Sequence, residues 1–122
     1  MAESQTIAIR TEADVIHARM QTRQLAREAG LQIADQARIS LAASSLAHAL
    51  ELGNSYEGKV TITRLNGHRS GIQIVYNTSR EDNSELVKDL IRTNDWKLMV
   101  DELTVSVLPG DDLMVIAVKW SS

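Results

Sequence analysis

The chain has 122 residues and contains no cysteine, no phenylalanine and a single proline, Pro109. Without cysteine there are no disulfides, no thiolate metal sites and no thiol catalysis, which fits a reducing cytosol. Aromatic residues make up only 3% of the chain, so a core must rest on Ile, Leu, Val and Met, with Trp96 and Trp120 as its large pieces. No apolar run reaches the roughly 18 residues needed to span a bilayer, so no membrane role is expected. The opening MAESQTIAIR lacks a basic segment followed by an apolar one, so no signal peptide is expected and the cytoplasm is the expected location. Positive charge is not in excess either: 13 Lys and Arg stand against 16 Asp and Glu, a formal charge of −3. Nucleic-acid binding through phosphates wants a basic stripe, and none is expected to serve here. Arg19, Arg23, Arg27 and Arg38 come nearest, but Glu12, Asp14, Glu28 and Asp35 sit among them, and the set reads as a solvated helix face.

What is present is an ordinary globular composition, 43% hydrophobic and 24% charged, with no repeat or linker, and residues 1–122 read as one domain. Residues 6–10 suggest a short strand. Val15, Ala18, Thr22, Leu25, Ala26 and Ala29 share one face at a 3.6-residue period, which predicts a helix over 14–29 with Gly30 as its stop. Ile39, Ala42, Ala43, Leu46, Ala49 and Leu50 predict a second helix over 34–52, ended by Gly53-Asn54. Residues 59–65 and 71–77 alternate as strands about the Asn66-Gly67 turn, and 103–107 and 114–120 do so about Pro109-Gly110. Residues 84–91 and 94–100 read as short helices. The order β-α-α-β-β-α-α-β-β predicts an α+β two-layer sandwich, with helices on one face of a mixed, mostly antiparallel sheet.

Few residues suggest chemistry directly. His17, His48 and His68 are scattered and form no zinc spacing. Asp101-Glu102 and Asp111-Asp112 read as a helix end and a hairpin turn, and Ser44-Ser45 lies in no Gly-x-Ser-x-Gly elbow. Ile16 and Met20 lie across the first helix from its main apolar stripe. With Arg19 and Arg23 beside it, Met20 forms a candidate partner-binding patch: Arg19, Met20 and Arg23.

Three stretches have a familiar look. Val15-Ile16-His17-Ala18-Arg19, the run RQLAREAGL from Arg23 and DQARI from Asp35 resemble the first two helices of the RsbT-type anti-sigma-factor serine kinases. Leu98-Met99-Val100-Asp101-Glu102-Leu103, the Pro109-Gly110 hairpin and Val118-Lys119-Trp120 resemble that family's last helix and closing strands. The resemblance covers residues 7–120. It implies a GHKL-type domain with the Bergerat ATP-binding fold, and with it ATP and Mg²⁺ as cofactors.

The family's three boxes depart from the pattern here. In register with DQARI, the glutamate base and the magnesium-binding asparagine become Ser45 and Ala49. A serine hydroxyl is a poor general base, and alanine has no oxygen for Mg²⁺. His48 lies about 100° around the helix from Ala49 and is not expected to substitute. The Asp-x-Gly-x-Gly box becomes Thr78, Arg80 and Asp82, which removes the adenine-reading carboxylate and both glycines. No glycine lies between Gly71 and Gly110, so the phosphate-wrapping lid over 83–96 is expected to be lost as well.

The implied protein is a non-catalytic regulator of a bacterial partner-switching pathway, with no cofactor and no catalytic or metal residues. Its implied partners are a STAS-domain protein, a sigma factor or a PP2C-type phosphatase regulator, and a homodimer stays open. Two alternatives stand beside it. One is a divergent but active ATP-dependent anti-sigma-factor serine/threonine kinase; the other is an unrelated α+β interaction domain.

Overall fold

Strands and helices form where the periodicities place them, in a computed structural model that describes residues 4–79, 88–90, 92, 95–110 and 112–121. The elements are β1 (Ser4–Ile9), α1 (Glu12–Glu28), α2 (Ile33–Ala49), β2 (Gly58–Leu65), β3 (Gly71–Ser79), a single 3₁₀ turn (Asp95–Leu98), β4 (Glu102–Leu108) and β5 (Asp112–Trp120). The strands make one sheet in the order β1-β2-β3-β5-β4. Every pairing between them is antiparallel, so the sheet anticipated as mixed has no parallel strand pair among the described residues. The α1–α2 hairpin lies over β1, β2 and β3, giving the expected α+β sandwich. The helix predicted over 94–100 shrinks to the 3₁₀ turn. The one predicted over 84–91 falls mostly outside the described residues, of which 88–90 are helical. No helix among the described residues is long and apolar enough to cross a membrane.

Sequence explains the helix ends. At the start of α1, the Asp14 carboxylate accepts from the amides of Arg10 (2.9 Å) and Thr11 (3.0 Å). Those two bonds hold its carboxyl below the usual range, and it occupies the turn where the helix dipole favours negative charge. At the end of α1, Gly30 at φ +85° donates to Arg27 and Leu31 donates to Ala26, a Schellman close. α2 closes in the same way: Glu51 donates to His48 and Leu52 to Ala47. The predicted helix to residue 52, stopped by Gly53, therefore ends three residues early. Glu51, at φ +55°, takes the left-handed position that glycine would have filled more cheaply. Gly53 has another task. A Cβ there would lie 2.7 Å from the Thr11 carbonyl oxygen, so this glycine lets the chain leaving α2 pass the start of α1.

Between the layers, Ile9, Val60, Ile62, Ile72 and Ile74 meet Val15, Leu25, Ile39, Leu46 and Leu50. Tyr76 is the largest fully buried side chain. Its hydroxyl donates to the carbonyls of Ala42 (3.3 Å) and Ala43 (3.0 Å) on α2, and burial raises its pKa so that it stays a donor. The expectation of two core tryptophans is half right. Trp96 packs against the core, but Trp120 sits at the sheet rim with Arg69 over its ring, 5.3 Å from the centroid. The reason is register: on β5, Leu113, Val115, Ala117 and Lys119 face the helices, so Trp120 must face away.

That register carries Lys119 under the helix layer. Its ammonium lies 3.6 Å from Asp35 and 3.3 Å from Asp101, and its side chain is 14% exposed. Asp35 is 5% exposed at the side chain and also accepts from Arg38 at 3.1 Å. Removing one member of a buried charge cluster leaves the others uncompensated, at a cost of about 3–5 kcal/mol. Lys119→Met is expected to lower unfolding free energy by about 3 kcal/mol in a urea titration, because it takes a cation from beside the buried Asp35 carboxylate.

Candidate functional site

α1 presents Arg19, Arg23 and Arg27 at four-residue spacing, one stripe along its solvent side. α2 runs beside it, and between them lies a groove of about 380 Å³. Met20, Gln24, Gln36 and Ser40 line the groove together with the three arginines. Met20 is 63% exposed. The predicted patch of Arg19, Met20 and Arg23 is thus brought together in one depression. Sequence reasoning missed Arg27, Gln36 and Ser40. Arg27 was visible as the next step of the same stripe; the α2 residues required knowledge of how the hairpin closes.

Arg19, Arg23 and Arg27 are exposed, as anticipated for a solvated helix face, and Arg38 pairs with Asp35. Of the acids interspersed with these arginines in sequence, Glu12, Asp14 and Asp35 are engaged elsewhere, while Glu28 contacts the groove residue Gln24. Glu12 meets His48 at 2.6 Å, at the far end of the hairpin. Asp14 caps α1, Glu28 accepts from Gln24 at 3.4 Å, and Asp35 belongs to the Lys119 cluster. Among the described residues no carboxylate pairs with Arg19, Arg23 or Arg27. Across the groove, Gln36 donates to the Leu31 carbonyl (2.9 Å) and Ser40 to the Ala37 carbonyl (2.9 Å), so that wall is neutral. Like charges at four-residue spacing disfavour a helix by about 0.2–0.5 kcal/mol per pair. The stripe therefore works slightly against the fold that carries it.

The positions aligned with the ATP boxes are more dispersed. Ser45 is half-buried and Ala49 exposed, both on α2. Thr78 is buried near the end of β3, where its hydroxyl donates to the Glu57 carbonyl at 2.8 Å. It lines a cleft of about 540 Å³ at the end of the sheet with Arg10, Lys59, Asn77 and Asp112, and neither Ser45 nor Ala49 reaches that cleft. Arg80 and Asp82 lie outside the described residues. Of the acidic pairs, Asp101 and Glu102 tie down the end of β5. Asp101 accepts from the Trp120 amide (2.8 Å) and Glu102 from the Trp120 indole (2.6 Å). Asp112 accepts from the Ser79 hydroxyl, and Asp111 lies outside the described residues. Among the described residues, no three His, Asp or Glu side chains come together as a metal site.

Comparison with known proteins bears on this geometry. The chain is 26% identical to the serine/threonine-protein kinase RsbT of Bacillus subtilis (strain 168), over an alignment of 132 positions covering 98% of each protein. No family model matches. The relationship to RsbT is distant but runs the length of both chains.

If the arginine stripe serves binding rather than folding, reversing its middle charge should not harm the fold. Arg23→Glu turns two repulsive four-residue pairs into attractive ones. It is expected to leave the thermal midpoint unchanged or raise stability by up to about 1 kcal/mol, read by calorimetric melting.

Proposed function

We propose that the chain is a non-catalytic regulatory protein of a bacterial partner-switching pathway, and that it acts by holding a partner protein in the groove between α1 and α2. The observation that carries this reading is the stripe of Arg19, Arg23 and Arg27, with which no carboxylate among the described residues pairs, flanked by the exposed Met20. Arginine and methionine are enriched in interfaces, and unpaired guanidinium groups favour a partner surface that presents carboxylates. The similarity to RsbT supports the pathway; within it the reading takes a STAS-domain protein, a sigma factor or a PP2C-type phosphatase regulator as partner and the cytoplasm as the setting.

The side chains at the matching positions do not suit ATP and Mg²⁺. Ala49 offers no oxygen ligand, and Ser45 has neither the charge nor the basicity of a glutamate. Thr78 is turned inward and already bonded to Glu57. The second reading, a divergent but active serine/threonine kinase, is favoured by the name of the relative.

Thermal melting with millimolar Mg-ATP separates the two readings. No shift is expected. Ligand at about 100 times its Kd stabilises by about 2.7 kcal/mol, so a rise of several degrees would overturn the non-catalytic reading.

Binding is tested by calorimetry against STAS-domain, sigma-factor and phosphatase-regulator proteins of the same organism. Arg23→Glu and Met20→Asp are each expected to weaken the complex at least about tenfold if these side chains sit near its centre. Unchanged affinity in both variants would remove the groove from the interface.

A further inference from the structure

The cleft at the end of the sheet lies apart from the α1–α2 groove. Its volume of about 540 Å³ falls within the roughly 300–1,000 Å³ range of small-molecule sites. Strand parity decides which way its side chains point. Lys59 and Asn77 alternate with the buried Val60 and Tyr76, and Ser79 and Asp112 alternate with the buried Thr78 and Leu113. These four exposed side chains therefore belong to the face turned away from α1 and α2. Thr78 borders the cleft from the inner row, with its hydroxyl already given to the Glu57 carbonyl.

Charge is sorted across the cleft in the order of the strands. Arg10, just past β1, and Lys59 on β2 put two cations at one end, and Glu57, just ahead of β2, leaves that end with one net positive charge. Asn77 and Ser79 of β3 occupy the middle. Asp112 of β5 and Leu108 of β4 form the other end, where Leu108 is 38% exposed and pairs with Asp112. Both signs of charge thus face one space without meeting. Among the described residues no carboxylate forms an ion pair with Arg10 or Lys59, and no cation forms one with Glu57 or Asp112. Arg10 acts on Asp14 only as a weak Coulombic influence, since that carboxylate is held by two amides. Asp112 instead accepts from the Ser79 hydroxyl. Lys59 and Asp112 lie on strands two places apart in the sheet, about 10 Å at about 4.8 Å per strand. An extended peptide advances about 3.3–3.6 Å per residue, so the charged ends of a tripeptide stand about 10 Å apart. Between the two ends, the Asn77 side-chain amide has no partner among the described residues, and it can both donate to and accept from a peptide group.

We propose that this cleft binds a short zwitterionic peptide, its carboxylate held at Arg10 and Lys59 and its ammonium at Asp112. Asn77 meets the backbone between them, and Leu108 packs against the side chain nearest the ammonium. The site is separate from the groove that holds a partner protein, and neither depends on the other.

Titration of the ¹⁵N-labelled chain with trialanine, followed by NMR, tests this directly. Trialanine is expected to shift the amides of Lys59, Asn77 and Ser79 and to bind with a Kd of about 1 mM or tighter. N-acetyl-trialanine lacks the cation and trialanine amide lacks the anion. Each is expected to bind about threefold more weakly or worse, the scale of one exposed charge contact. Asp112→Asn is expected to abolish the difference between trialanine and its acetylated form while keeping the difference from the amide. Arg10→Gln combined with Lys59→Gln is expected to do the reverse. All three positions are exposed, and unchanged circular dichroism confirms that the variants fold. The wild-type comparison of the three peptides needs no variant at all. Absence of amide shifts around the cleft at about 10 mM trialanine overturns the proposal. So does equal affinity for all three peptides, or a folded Asp112→Asn chain that still distinguishes trialanine from its acetylated form.

Discussion

The charge on Lys119 must be neutralised where it lies, and much of the architecture follows from that requirement. A lysine on the inner face of a central strand can exist there only if carboxylates are delivered to it. Asp35, in the first turn of α2, and Asp101, just ahead of β4, do this from opposite directions. The cluster therefore joins the beginning of the second helix, the entry to an edge strand and the end of β5 at one point. It also sets which way β5 faces. With Lys119 inward, Leu113, Val115 and Ala117 join the core, and Trp120 is sent to the rim, where Asp101 and Glu102 hold its amide and indole.

The same requirement shapes the groove. Asp35 lies close in sequence to the arginines but is committed to the interior, and Asp14 and Glu12 are likewise taken by the cap and by His48. A sequence with near-balanced charge thus produces a locally unbalanced surface, because the structural acids are used and the arginines are not. Net charge, at −3, conceals this completely.

Legibility in the sequence followed the range of the interactions involved. Both long helices and all five strands were readable, because amphipathic period and turn chemistry act over a few residues. Glu51 misled the reading of α2: only the folded chain shows that a glutamate takes the left-handed position while Gly53 clears Thr11. Tyr76 outranks both tryptophans in the core because its hydroxyl finds α2 carbonyls 33 and 34 residues away in sequence. Arg19, Met20 and Arg23 were recognisable as a patch from helical spacing alone. That no acid answers them depended on where four carboxylates go in three dimensions. Ser45, Ala49 and Thr78 were identified by register against a family pattern. The fold adds that Thr78 is spoken for by Glu57 and that the cleft it lines does not take in the other two.

The place of β1 in the sheet has a kinetic side. It is the first element of the chain, yet it pairs with β2 in a register that runs from Ser4 opposite Thr63 to Ile9 opposite Gly58. The whole helical hairpin lies between those partners. Closing so long a loop is entropically costly until its contents are compact, whereas α1 with α2 and β2 with β3 close over short spans. The amino-terminal strand is thus placed to join last, docking on a hairpin and sheet already formed. It then lies at the sheet edge, where its departure breaks one ladder and leaves the other three intact.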